Sequence, residues 1–216
     1  MDGQFTMLVI YGPTATGKTA LALGLAKKYN GELISADSRQ VYKNLDIGTG
    51  KVAFTTKVQK HPGYWIVDGI RINGFDLVNP QESFSAADFI KFASASANKI
   101  VSSKKLPIIV GGTGFYIKAF LGGIGTAGIP ADKKLRLKLE KLSVAALQQK
   151  LQEVNLQKFK SMNKSDQANP RRLIRAIEIS VSRPNTTNYQ LPTTDYHMIG
   201  LTAPHGFLYK RADSWL

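Results

Sequence analysis

The sequence has 216 residues, 43% of them hydrophobic, with 29 Lys and Arg against 15 Asp and Glu, a net charge of +14. That length and apolar content suit one domain, or a core with a modest insertion, and the excess charge favours a polyanionic partner: nucleic acid or an anionic membrane surface. The lack of cysteine excludes disulfides and thiolate metal sites, the scattered His61, His197 and His205 give no metal-ligand spacing, and no apolar run approaches the roughly 18 residues of a membrane helix.

In chain order, Met7–Tyr11 is an unbroken apolar run suited to a buried parallel strand. It leads into Gly12, Pro13, Thr14, Ala15, Thr16, Gly17, Lys18 and Thr19, which match G-x-x-x-x-G-K-T, the phosphate-binding loop. In such a loop the glycines let backbone N–H groups converge on an anion, Lys18 adds positive charge, and the Thr19 hydroxyl is placed to hold a metal ion such as Mg²⁺. A helix is expected next, with Leu21, Leu25 and Tyr29 on one face and Gly31 as its stop. The loop begins at residue 12, which leaves no room for a signal peptide ahead of it and implies a cytoplasmic protein.

Residues 32–36 read as a second strand ending at Asp37, followed by Ser38, Arg39 and Gln40. Ligands of open parallel sheets bind beyond the carboxyl ends of the strands, so Asp37 is expected in the crevice that holds the phosphate loop. There it would hold Mg²⁺ or act as a general base, or else simply cap the next segment. Residues 46–51 form a polar glycine loop, 64–68 a third strand and 69–82 a loop or hairpin. Ser85 and Asp88 make a capping box with Asp for Glu, opening a helix with Phe89, Ile90, Phe92, Ala93 and Ala97.

Leu106–Val110 is the fourth strand, ending in Gly111-Gly112-Thr113-Gly114 and another helix. Phosphate-loop hydrolases usually carry a metal-holding Asp there, so glycine and threonine argue against an ordinary ATPase or GTPase. Thr113 itself is a turn residue or a site residue. After a glycine-rich exit at 122–130, residues 132–182 read as helical, with Leu135, Leu139, Leu142, Leu147 and Leu151 along an apolar face. Positions 132–178 hold twelve basic and five acidic residues, a local +7. Scattered lysines usually mark a solvated face. More specific is Asn169-Pro170-Arg171-Arg172-Leu-Ile-Arg175, where proline suits a first helical turn and Arg172 and Arg175 share a face fit for phosphates. Residues 183–195 read as a return linker, 196–202 as a fifth strand, and a last helix starts at Tyr209, with Trp215 near its end.

Taken together, the motifs resemble the tRNA dimethylallyltransferase (tRNA isopentenyltransferase) family. The resemblance rests on Gly12-Pro-Thr-Ala-Thr-Gly-Lys-Thr19, Ile34-Ser-Ala-Asp-Ser-Arg-Gln-Val-Tyr42, Asp46-Ile-Gly-Thr49 with Lys51, Phe84-Ser-Ala-Ala-Asp-Phe89, Val110-Gly-Gly-Thr-Gly-Phe-Tyr116 and Pro170-Arg-Arg-Leu-Ile-Arg-Ala-Ile-Glu178, in family order over nearly the whole chain. It implies a P-loop NTPase-like α/β core, residues 1–121 plus 196–216, whose parallel sheet is flanked by helices, and a basic helical insertion at 122–195 that binds tRNA. It also implies transfer of a dimethylallyl group from its diphosphate to the exocyclic amine of the adenosine 3′ of the anticodon, by a monomer that touches no membrane. The loop amides, Lys18 and Thr19 with Mg²⁺ would hold the diphosphate as leaving group, and Asp37 would accept the amine proton or orient the amine. Thr113 and Asp37 through Gln40 would meet the flipped-out adenosine. Arg136, Arg171, Arg172 and Arg175 would grip the anticodon-stem backbone.

Two departures stand out. The stretch Gly69–Val78 is longer than the family pattern, and members run on for a further helical subdomain with a diphosphate-binding arginine and more tRNA contacts. The expectation is therefore a fragment, a truncated product or a reduced enzyme, weak or inactive as written. The rival readings are a phosphate-loop small-molecule kinase and prenyl transfer to free adenine nucleotides, neither of which needs a basic insertion, and an inactive tRNA-binding remnant.

Overall fold

A computed structural model describes residues 6–51, 57–123, 125–126, 129–182 and 195–213. Residues 183–194 of the expected linker, Trp215 and part of the glycine-rich exit lie outside the described residues. The chain divides into a sheet unit, residues 1–123 with 190–216, and a helical unit, residues 124–189.

In the sheet unit, β1 (Met7–Tyr11), β2 (Gly31–Ser35), β5 (Ile70–Asn73), β6 (Leu106–Gly111) and β7 (Tyr196–Gly200) run parallel, and β3 (Val58–His61) and β4 (Tyr64–Val67) complete a seven-stranded sheet ordered β3-β4-β5-β2-β6-β1-β7. β1 lies between β6 and β7, pairing Leu8 with Ile108 and with His197. Its alternate residues serve two cores. Met7 and Val9 meet Phe89, Ala93 and Ala97 of α2 (Ala86–Ser102) and Tyr116, Ile117 and Phe120 of α3 (Gly114–Gly122). Ile10, on the opposite face, packs with Ala22 and Ala26 of α1 (Lys18–Lys28) and with Leu33, Ile72 and Ile108. Burial on both faces is why β1 reads as a continuous apolar run rather than an alternating one. The expected capping box is present, with Asp88 N–H bonded to Ser85 Oγ and Asp88 Oδ2 bonded to Ser85 N–H.

Three local expectations are corrected. The face that α1 buries is Ala22 and Ala26, whereas Leu21 and Tyr29 are 36% and 52% exposed. Small side chains let the helix sit close on the sheet, and the four-residue spacing holds one register away from the one predicted. Asn30, at φ 50°, rather than Gly31, takes the left-handed turn after the helix. Of the loop or hairpin expected at 69–82, the hairpin is present in its first part: β5 turns back antiparallel on β4 and also pairs with β2 in parallel, so residues 58–73 form a three-stranded meander. The last helix, α8 (His205–Asp213), begins four residues earlier than predicted.

The helical unit contains α4 (Lys133–Leu139), α5 (Val144–Ser161), α6 (Lys164–Gln167) and α7 (Pro170–Val181). Asp132, Ser143, Asn163 and Asn169 each cap the following helix with a side-chain oxygen. Leu139, Leu147, Leu151, Leu173 and Ile177 form its core, while Leu142 falls between α4 and α5 and is 40% exposed.

Candidate active site

The carboxyl ends of β1, β2 and β6 set three turns side by side. After β1 comes the phosphate loop. A Cβ on Gly12 would stand 2.2 Å from the Leu201 carbonyl oxygen, so the segment leaving β7 closes against the loop and only glycine fits. Gly17, at φ 89°, occupies the N-cap of α1 and supplies no capping side chain, which leaves the first-turn N–H groups available to an anion. Lys18 Nζ donates to the Pro13 carbonyl at 2.6 Å and Thr16 Oγ1 donates to the same carbonyl at 2.9 Å.

The turns after β2 and β6 are bonded to each other. A Cβ on Gly111 would stand 2.1 Å from the Ala36 carbonyl oxygen, so the two strand ends touch backbone to backbone. Thr113 N–H donates to that carbonyl at 3.2 Å, and Thr113 Oγ1 accepts from Ser38 N–H at 3.0 Å. Asp37 Oδ1 accepts from Arg39 N–H at 2.8 Å, which holds the turn and aims the carboxylate. Burial lowers the Lys18 pKa, and the negative charge of Asp37 partly restores it, so the two charges act on each other across the crevice. Burial pushes the Tyr116 hydroxyl up to about 12, with Tyr42, Asp88 and Asp37 adding to the effect, and this hydroxyl donates to the Phe84 carbonyl at 3.0 Å.

The crevice therefore brings together the loop residues, Lys18, Thr19, Asp37, Ser38 and Thr113. Arg39 is exposed on the same turn. Gln40 points inward instead: its Nε2 donates to the Thr49 and Gly50 carbonyls at 3.1 and 3.0 Å, and its Oε1 accepts from Ser35 Oγ at 2.6 Å. One residue escaped the sequence reading. Arg211 of α8 places its guanidinium 3.4 Å from where a Gly17 Cβ would stand, so an arginine reaches the phosphate loop from within this chain. The available signal was a basic helix directly following the strand beside β1.

Among the described residues no group of three or more His, Cys, Asp or Glu side chains could hold a metal. The donor set fits Mg²⁺ only in the manner of a phosphate-bound ion, with one hydroxyl, Thr19, and the remaining ligands from substrate oxygens and water.

Arg136, Arg171, Arg172 and Arg175 belong to the helical unit. Glu178 there is fully buried. It accepts from Arg136 Nε and Nη2 at 2.9 and 2.8 Å, from Arg175 Nη1 at 2.5 Å and from Asp132 N–H at 2.6 Å. Arg175 Nη2 also donates to the Thr126 and Ile129 carbonyls. Burial works to raise the Glu178 pKa, but the two arginines and the Asp132 N–H outweigh it and hold the carboxyl at about 2. Arg172 pairs with Asp166 and Arg171 is exposed.

A family profile described as IPP transferase matches residues 40–214. The chain belongs to the IPP transferase family. Within that family, a tRNA dimethylallyltransferase of Endomicrobium trichonymphae is 36% identical over 211 residues, covering 96% of this chain and 68% of the relative. One from Bacillus cereus (strain AH820) is 40% identical over 213 residues, covering 94% and 63%. The crystal structure of the full-length tRNA isopentenylpyrophosphate transferase from Bacillus halodurans superposes with a TM-score of 0.60 at 35% identity, covering 99% of this chain and 65% of that one. The chain thus spans about two thirds of the length of these IPP transferase relatives. Its P-loop NTPase-like sheet flanked by helices is the fold of that structure, and the kinase reading finds no support among them. No helix among the described residues is long and apolar enough to cross a membrane.

Proposed function

We propose that the crevice transfers a dimethylallyl group from dimethylallyl diphosphate to the exocyclic amine of the adenosine 3′ of a tRNA anticodon. The observation that supports this reading is that the phosphate loop after β1 and the Asp37 turn after β2 sit at the same edge of the sheet, joined through the turn after β6: a Cβ on Gly112 would stand 3.5 Å from the Gly12 carbonyl oxygen, and Thr113 bonds to Ala36 and Ser38. The allylic carbon–oxygen bond breaks and the diphosphate leaves with the electron pair. The amine nitrogen bonds to the allylic carbon and its proton passes to Asp37. The loop N–H groups, Lys18 and Arg211 stabilise the charge that develops on the leaving oxygens, and they are in place before it develops. The Thr19 hydroxyl would hold a Mg²⁺ ion, which would supply Lewis-acid stabilisation of the same oxygens. Thr113 keeps the Asp37 turn in register and, with Ser38 and Arg39, lines the approach of a base taken out of its stack. Exposed Arg171 and Arg172 contribute to holding the stem backbone, while Arg136 and Arg175 act mainly through Glu178.

The test is prenyl transfer to an anticodon stem-loop RNA. Asp37→Asn is expected to cut kcat by about 10²–10⁴-fold and to leave diphosphate binding intact. Full turnover by this variant overturns the reading.

A further inference from the structure

The stretch that follows the Asp37 turn contains a buried cation. Lys51 is 1% exposed. Its Nζ donates to the Tyr42 carbonyl at 2.7 Å, to Asp46 Oδ1 at 2.9 Å and to Asp76 Oδ1 at 2.7 Å. Three acceptors thus meet the three donors of an ammonium. Trp65 Nε1, from β4, donates to Asp76 Oδ2 at 2.6 Å. Lys60, from β3, reaches Asp46 Oδ2 at 2.5 Å and lies 4.4 Å from the Trp65 ring centroid. Residues of the meander and of the turn that follows it therefore clasp the 43–50 loop from below. From above, the same loop holds Gln40 through the Thr49 and Gly50 carbonyls, and Gln40 holds Ser35, next but one before Asp37.

Burying an ammonium is costly, and a buried ion pair seldom stabilises a fold more than an apolar side chain of the same size. What it adds is direction, since each hydrogen bond fixes an angle. The loop it fixes contains turns and no helix or strand to do that work. We infer that Lys51 is a positioning residue for the transfer reaction, acting through the 43–50 loop and Gln40 to hold the Asp37 turn in its working geometry. This rests on the prenyl-transfer reading for its effect on rate, but not for its effect on structure. It also gives Gln40 a role other than contact with the adenosine.

The experiment is a double-mutant cycle on the full chain with Lys51→Met and Gln40→Met. Each folded variant is expected to lose kcat by about 10- to 100-fold, as small misplacements of reacting groups do, with KM for dimethylallyl diphosphate unchanged. The double variant should be no worse than the worse single one, because both cut one line of contacts. Losses that multiply, or an unchanged kcat in folded Lys51→Met, overturn the proposal. Amide hydrogen exchange is the readout that does not need turnover: protection at 37–42 falls in both single variants, and unaltered protection there in Lys51→Met overturns the proposal. If the parent chain transfers nothing, exchange still decides the clasp. Should Lys51→Met not fold, Trp65→Phe, which removes only the N–H given to Asp76, is judged by exchange at the same residues with the same two outcomes.

Discussion

In the sheet unit a buried lysine, Lys51, is held by Asp46 and Asp76; in the helical unit a buried glutamate, Glu178, is held by Arg136 and Arg175. The two clasps are the same device with the signs exchanged, yet they fasten different things. Glu178 ties the first residues of α4 to α7, elements already joined by an apolar core around Leu139, Leu173 and Ile177. Its contribution is to stability. Lys51 ties down a loop with no core of its own, so its contribution is to where that loop sits. A buried charge between regular elements is cement; a buried charge under an irregular loop is a gauge.

The largest expected effect is at Glu178. Glu178→Ala leaves two guanidinium groups without their carboxylate and is expected to cost about 3–5 kcal/mol, as does breaking other buried pairs from one side. Thermal unfolding measures it. A loss under about 1 kcal/mol, the scale of a surface pair, would erase the distinction between the clasps. Acid comes next. The Glu178 pKa is lowered from 4.5 to about 2 in the fold, so its stabilisation is complete above pH 4.5 and is lost as pH falls toward 2. A depression of that size is worth about 3 kcal/mol. Urea midpoints across that pH range should fall in the parent chain and stay flatter in Glu178→Gln.

The smallest effect sharpens the contrast between structural and ligand-facing cations. Arg171→Ala is expected to leave stability within about 0.5 kcal/mol and to reduce the salt dependence of stem-loop RNA binding by about one phosphate contact. Arg136→Ala should do the reverse, lowering stability and leaving the salt slope in place. Filter binding at several salt concentrations, read beside thermal melts, separates the two.

Much of the sheet unit was legible because its signals are local. β1, the phosphate loop and α1 follow each other without a break, and the Ser85 capping box names a helix start within four residues. The clasps were not legible, because each needs a partner far away in sequence, Asp76 for Lys51 and Arg136 for Glu178. Lys51 ends a polar glycine loop, and its burial depends on Asp76 and on Trp65 of the meander. Arg136 reads as a phosphate-binding arginine because it lies far along the chain from Glu178, whereas Arg175, three residues from Glu178, reads so because it shares a face with Arg172. One signal was available: Glu178 falls four residues after Ile174, on the stripe that α7 buries, where an acid needs a cationic partner. The α1 face was missed for a different reason, since alanine carries little hydropathy yet fits the closest contact with the sheet.

The phosphate loop leaves β1, but β1 pairs with β7, the Leu201 carbonyl closes on Gly12, and Arg211 comes to Gly17 only after the whole helical unit has been made. On the ribosome, then, the nascent cup stays open along one side until residues 196–211 have emerged. Contacts between such distant stretches form slowly. A stalled or prematurely released chain would carry the motif's full lettering and still lack one wall of the vessel it spells.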